Sequence, residues 1–157
     1  MLLIQSLDEF MEWAKNNGWN VILNQEKTDL PDVIKRRYDI PVEWYDSICR
    51  LQVCENHSQT KWFLTPKDFF QQNGGFHWNE FELQSLEYTD NDSSVTAYWD
   101  KHLPIILCAD GDYAYYAINT ENGNVVYGYE PEYEESTVIS ESFSSFINKV
   151  ISGEIAL

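Results

Sequence analysis

The chain has 157 residues, 43% of them hydrophobic and 15% aromatic, which suits one folded domain and excludes an intrinsically disordered segment. A domain of this length buries roughly 70% of the surface that its unfolded chain exposes, so a core forms without help from disulfides or metals. Twenty-six acids against ten bases give a formal charge of −16, a field that repels phosphate backbones and anionic lipids and attracts basic surfaces.

The acidity is uneven. From Met1 to Asn79 there are 11 acids and 8 bases, a net −3; from Glu80 to Leu157 there are 15 acids and 2 bases, a net −13. Direct binding of nucleic acid, which needs Lys and Arg along a groove, is not expected. The opening "MLLIQSLDEF" has no basic stretch before its apolar residues and no small-residue cleavage site, so no secretory signal is expected. No apolar run approaches the roughly 20 residues of a membrane helix. Cys49, Cys54 and Cys108 are odd in number and fit no paired zinc pattern, which points to reduced thiols in a cytoplasmic protein, with Cys108 buried.

In chain order, "SLDEFMEWAKNNG" predicts a helix with Ser6 as N-cap, Glu9 completing a capping box, and Gly18 as the stop. Its core face is Leu7, Phe10, Met11 and Ala14. "WNVILNQ" reads as a short strand or an extended connection. "TDLPDVIKRRYDIPVEWYDSICRL" predicts two short helices, the first capped by Thr28 or Asp29 and the second begun by Asp39 and Pro41, with Trp44, Ile48 and Leu51 inward. "TKWFLTPKDFFQQNGG" predicts a strand ending at Leu64, then a two-turn helix capped by Thr65, with Pro66 at its first position and a Gly74-Gly75 stop. "EFELQSLEY" alternates imperfectly and reads as a strand.

"HLPIILCA" and "DYAYYAIN" are stronger strands, separated by an Asp-Gly-Asp turn. "TENG" then joins "AYYAIN" to "NVVYGYE" as a four-residue hairpin loop, with Gly123 where φ is positive. Last, "SESFSSFINKVIS" predicts a helix capped by Ser140 and ended by Gly153, with Phe143, Phe146, Ile147, Val150 and Ile151 on one face. Helices first, then a mostly antiparallel meander, then a closing helix over one sheet face make an α+β pattern over residues 1–157.

The chemistry-bearing motifs are sparse. Asp110-Gly-Asp112 lacks the 12-residue loop and closing Glu of an EF-hand, so a turn is expected and no metal site. Among 26 acids chance pairs are easy, so the same two aspartates do not establish an acid/base pair. His57, His77 and His102 belong to no metal-binding helix motif, and no nucleophile elbow or nucleotide-binding glycine pattern occurs. Neither catalysis nor a cofactor is expected. "YGYEPEYEES" is different, because Tyr and Glu interleave on a segment that Pro131 keeps from pairing as an interior strand. It reads either as a solvated loop or as an acidic, aromatic-studded docking edge for a basic partner.

The segment "LPIILCADGDYAYYAINTENGNVVYGYEPE…ISESFSSFINKVISG" resembles the C-terminal half of the SUKH superfamily, the Smi/Knr-like domains, and "DIPVEWYDSI" looks like that family's "LP-x-x-Y-x-x-F-L" helix. The resemblance runs from about Leu30 to Gly153 and is strongest from Leu103 to Ile151; "CRLQVCENH" stands where the family often has Asn-Gly. It implies a Smi/Knr-like fold and a cytoplasmic bacterial immunity protein that neutralises a cognate toxin, typically a nuclease. On that reading Asp110, Asp112, Tyr129, Glu130, Glu132, Tyr133, Glu134 and Glu135 form the toxin-binding surface, without nucleic acid or membrane as partner. Two other roles stay open. One is a regulatory scaffold of the kind that Smi/Knr-like proteins provide in fungal cell-wall control; the other is a small-ligand sensor with an aromatic pocket around Trp44, Trp62, Trp78 and Trp99.

Overall fold

The computed structural model describes residues 3–71 and 75–157. Seven strands form one antiparallel sheet in strict chain order: β1 (Asn20–Leu23), β2 (Leu51–Glu55), β3 (Lys61–Phe63), β4 (His102–Cys108), β5 (Ala114–Asn119), β6 (Val125–Tyr129) and β7 (Thr137–Ser140). The helices are α1 (Leu3–Asn16), α2 (Asp32–Arg37), α3 (Val42–Ile48), α4 (Pro66–Phe70), α5 (Glu80–Tyr88), α6 (Ser93–Trp99) and α7 (Phe143–Ile151). The domain is α+β, with a mostly local order of pairing.

Strand register sorts the side chains into two rows. Phe63, Ile106, Tyr116 and Tyr127 stand opposite one another across β3 to β6, and so do Trp62, Leu107, Tyr115 and Gly128. Because neighbouring side chains on a strand point to opposite faces, these rows line opposite sides of the sheet. The first row packs under α1, α3 and α7: Phe10 meets Phe63 at 5.1 Å between ring centroids, and Phe146 meets Tyr116 at 5.4 Å. The second row packs under α5 and α6, with Trp99 4.8 Å from Tyr115 and Phe81 6.1 Å from it. Strands β4 and β5 are therefore buried on both faces, which is why they read as nearly continuous apolar runs.

The central elements stand where the sequence puts them. β4, β5, β6 and α7 coincide with the expected segments, Gly123 turns the β5–β6 loop at φ +83°, and Thr65 heads α4 in a capping box, its N–H bonded to Asp68 Oδ2 at 2.8 Å. Helix boundaries differ more. α1 begins at Leu3, so Ser6 lies inside it and is not its N-cap. α2 is preceded by Pro31, because Asp29 bonds instead to the Leu30 N–H, Lys35 and Tyr45, and α3 is preceded by Pro41, two residues after Asp39. Ser142, not Ser140, caps α7 through a 3.1 Å bond from the Ser145 N–H; Ser140 closes β7. α4 is a single turn ending at Phe70, and Gly74 of the expected stop lies outside the described residues.

Two larger corrections concern type. "EFELQSLEY" is helix α5, not a strand. Its buried positions Phe81, Glu82 and Ser85 share a helical face, and Glu82 is held there by a bidentate pair with Arg37 at 2.8 and 3.0 Å. Leu51 continues no helix; it opens β2 and is buried there. Among the described residues no helix is long and apolar enough to cross a membrane. All three cysteines are free and buried, and burial raises the Cys54 thiol to about 12 and the Cys108 thiol to about 11.

Candidate functional site at the acidic end of the sheet

In a sequential meander every second connection falls at the same end of the sheet. The β2–β3, β4–β5 and β6–β7 connections therefore share one rim. The backbone stitches them together: the Ala109 N–H bonds to the Thr60 carbonyl at 2.7 Å, and the Glu130 N–H to the Tyr113 carbonyl at 2.9 Å. Asp110 and Asp112 are exposed on the β4–β5 turn, and Gly111 between them takes φ +82° with open space on its side-chain position. Tyr129 is 56% exposed, and Glu132 and Glu135 are exposed beside it. Chain order thus brings the two acidic segments to one place.

The remaining residues of the expected surface are turned inward or tied down. Tyr133 is buried; its ring stacks on Phe81 at 4.6 Å and 11°, and its hydroxyl donates to Gln84 Oε1 at 3.0 Å. Glu134 is half-buried, and its Oε2 accepts bonds from Trp99 Nε1 and Ser85 Oγ, both at 2.8 Å. Glu130 is half-buried as well, with Oε1 accepting the Tyr113 N–H at 2.7 Å. The outward carboxylates on this rim are Asp110, Asp112, Glu132 and Glu135, with Glu130 between the two sets.

A chain of hydroxyls under the loop explains its shape. Tyr115 Oη donates to the Tyr133 carbonyl, and Tyr98 Oη lies 2.6 Å from Tyr115 Oη and 2.7 Å from Ser136 Oγ. Burial pushes Tyr115, Tyr98 and Tyr133 above the ordinary tyrosine range, so all three stay protonated at neutral pH. These partners come from α5, α6 and β5, and the sequence gives one clue to them. Gly128 interrupts a strand between two tyrosines, the mark of a close approach by another group.

No ion pair among the described residues engages Asp110, Asp112, Glu130, Glu132, Glu134 or Glu135. The two bases of the C-terminal half are used elsewhere: Lys101 pairs with Glu121 at 3.6 Å, and Lys149 donates to the Ile139 carbonyl at 3.2 Å. Among the described residues no cation forms an ion pair with these carboxylates, and the base nearest the rim by strand position is Lys61, opposite Cys108 at the start of β3.

Other candidates resolve differently. Among the described residues no group of three or more His, Cys, Asp or Glu side chains converges as a metal would require. His102 stacks on Tyr98 at 3.9 Å with its Nδ1 2.7 Å from the Tyr98 carbonyl, a packing role. The four tryptophans pack against neighbouring aromatic and core side chains. Trp44 and Trp99 are buried in the core, Trp78 packs between Tyr38 and Phe69, and Trp62 packs on Phe76. Comparison with family models, with curated proteins and with solved structures gives no match to this chain.

Proposed function

We propose that the protein is a non-enzymatic immunity protein of the SUKH, Smi/Knr-like kind, which binds a cognate bacterial toxin of the nuclease type in the cytoplasm. The observation that carries this reading is the rim itself: Asp110, Asp112, Glu132 and Glu135 lie exposed on two stitched loops, with no ion pair to neutralise them among the described residues. A nucleic-acid-cleaving site must be basic to hold phosphates, and an acidic rim competes for that surface and speeds encounter with it. Tyr129, exposed at the end of β6, adds an aromatic contact on the same rim.

The test is co-expression with a nuclease toxin domain that the protein captures from lysate of its own source. Reversing Asp110, Asp112, Glu132 and Glu135 together is expected to slow association, flatten its dependence on salt and abolish rescue of growth. Full rescue by that variant would reject the rim as the toxin-binding surface.

A further inference from the structure

Beside the rim, a groove opens between α5 and the β6–β7 loop, lined by Gln84, Ser85, Tyr88, Glu130, Pro131 and Tyr133. It holds about 420 Å³ of empty space open to solvent. Its lining includes Tyr88, which is 84% exposed and forms no ring contact among the described residues. The floor carries Glu130, whose Oε1 is bonded to the Tyr113 N–H while Oε2 has no hydrogen bond among the described residues.

Two of the groove's hydroxyl donors are committed to partners within the fold. The Tyr133 hydroxyl donates to Gln84 and the Ser85 hydroxyl to Glu134, while the exposed Tyr88 hydroxyl and the Gln84 amide N–H groups remain beside the second Glu130 oxygen, the charged acceptor of the groove. Glu87 and Glu132, each next in sequence to a lining residue, are exposed. Such a site fits a group that is cationic, flat and rich in donors. A guanidinium has five N–H donors and no acceptor, pairs with a carboxylate, and stacks on an aromatic face, whereas an ammonium offers a point charge and does not stack.

We propose that this groove receives an arginine side chain of a basic protein partner, with Glu130 pairing its guanidinium and Tyr88 closing over it. The proposal deepens the toxin-binding reading and rests on it for the partner's identity, but not for the chemistry of the pocket.

The test uses hexa-arginine and hexa-lysine peptides titrated into isotopically labelled protein, followed by amide chemical shifts. Hexa-arginine is expected to move Ser85, Tyr88 and Tyr133 more than Asp110 and Asp112, and to bind more tightly than hexa-lysine. Tyr88→Ala is expected to weaken hexa-arginine binding by about 2- to 5-fold, the range of an exposed cation–π contact, and Glu130→Gln by about 2- to 5-fold, the range of an exposed ion pair. Both variants preserve the fold's contacts, since Tyr88 is exposed and Gln keeps an acceptor for the Tyr113 N–H. Equal shifts from the two peptides, with no loss of affinity in Tyr88→Ala, would overturn the groove. Groove binding with no toxin captured would support the pocket while rejecting the toxin. A toxin neutralised equally by Tyr88→Ala would reject the pocket and leave the toxin reading standing.

Discussion

The ring of Tyr115 on β5 lies over the backbone of Gly128 on β6, so close that a Cβ at Gly128 would meet Tyr115 Cε1 and Oη at 2.6 Å and Cζ at 2.7 Å. Only glycine lets the phenol cross its neighbour strand and reach the Tyr133 carbonyl in the acidic loop.

Gly128→Ala is therefore expected to destabilise the fold by about 1–3 kcal/mol, the usual cost of overpacking, measured by urea denaturation. In a Tyr115→Ala background the same substitution should cost much less, because its clash is gone. Equal penalties in both backgrounds would show that the ring is not what excludes the side chain.

The inward and outward glutamates should separate cleanly. Glu134→Ala strands the Trp99 indole N–H and the Ser85 hydroxyl, with an expected cost of about 1–3 kcal/mol, and Glu134→Gln, which keeps an acceptor, should recover part of it. Glu132→Gln and Glu135→Gln, both exposed, should stay within about 0.5 kcal/mol of wild type. Thermal unfolding of the four variants at one pH checks the ordering.

How far the sequence carries this picture depends on which residues touch which. The β4–β5–β6 meander and α7 are legible because local signals agree: a β-branched and aromatic run, a turn, a hairpin glycine and a 3.6-residue apolar stripe. The rim is legible for the same reason, since Asp-Gly-Asp and Pro131 both mark connections. The inward side of the loop is not. Tyr133 and Glu134 follow no periodicity, and their partners Phe81, Gln84, Ser85 and Trp99 lie 35 or more residues upstream. Those partners sit on α5 and α6, and α5 imitates a strand because Phe81, Leu83 and Ser85 happen to alternate. What makes α5 a helix is tertiary: the Arg37 pair at Glu82 and the burial of Phe81 and Ser85 together.

His102 gives a pH dependence. Burial holds its pKa below the ordinary 6.5, against an opposing bond to the Tyr98 carbonyl. The unfolded chain takes up its proton near 6.5 and the folded one only at lower pH, so the unfolded state binds more protons in that interval. His102 therefore adds stability above pH 6.5 that is lost as pH falls below it. The slope of unfolding free energy between pH 7 and 5 should flatten in His102→Gln; an unchanged slope would place the titration elsewhere.

Asp29 gives a second dependence at lower pH. Hydrogen bonds from Lys35 and Tyr45 hold its carboxyl at about 2, below the ordinary 3.8. Its contribution should be present above pH 3.8 and disappear as pH falls toward 2, with the exposed setting keeping it small. The stability gap between wild type and Asp29→Asn should accordingly close over that interval.

The most direct measurement is capture by the tagged protein from lysate of its own source, run beside the variant Asp110→Asn/Asp112→Asn/Glu132→Gln/Glu135→Gln, with salt-gradient elution and identification by mass spectrometry. The expected result is one dominant partner with a basic toxin domain, released by salt and missing from the variant. Identical capture by both proteins, or a set of unrelated envelope and signalling proteins, would contradict the acidic rim as a toxin-binding surface.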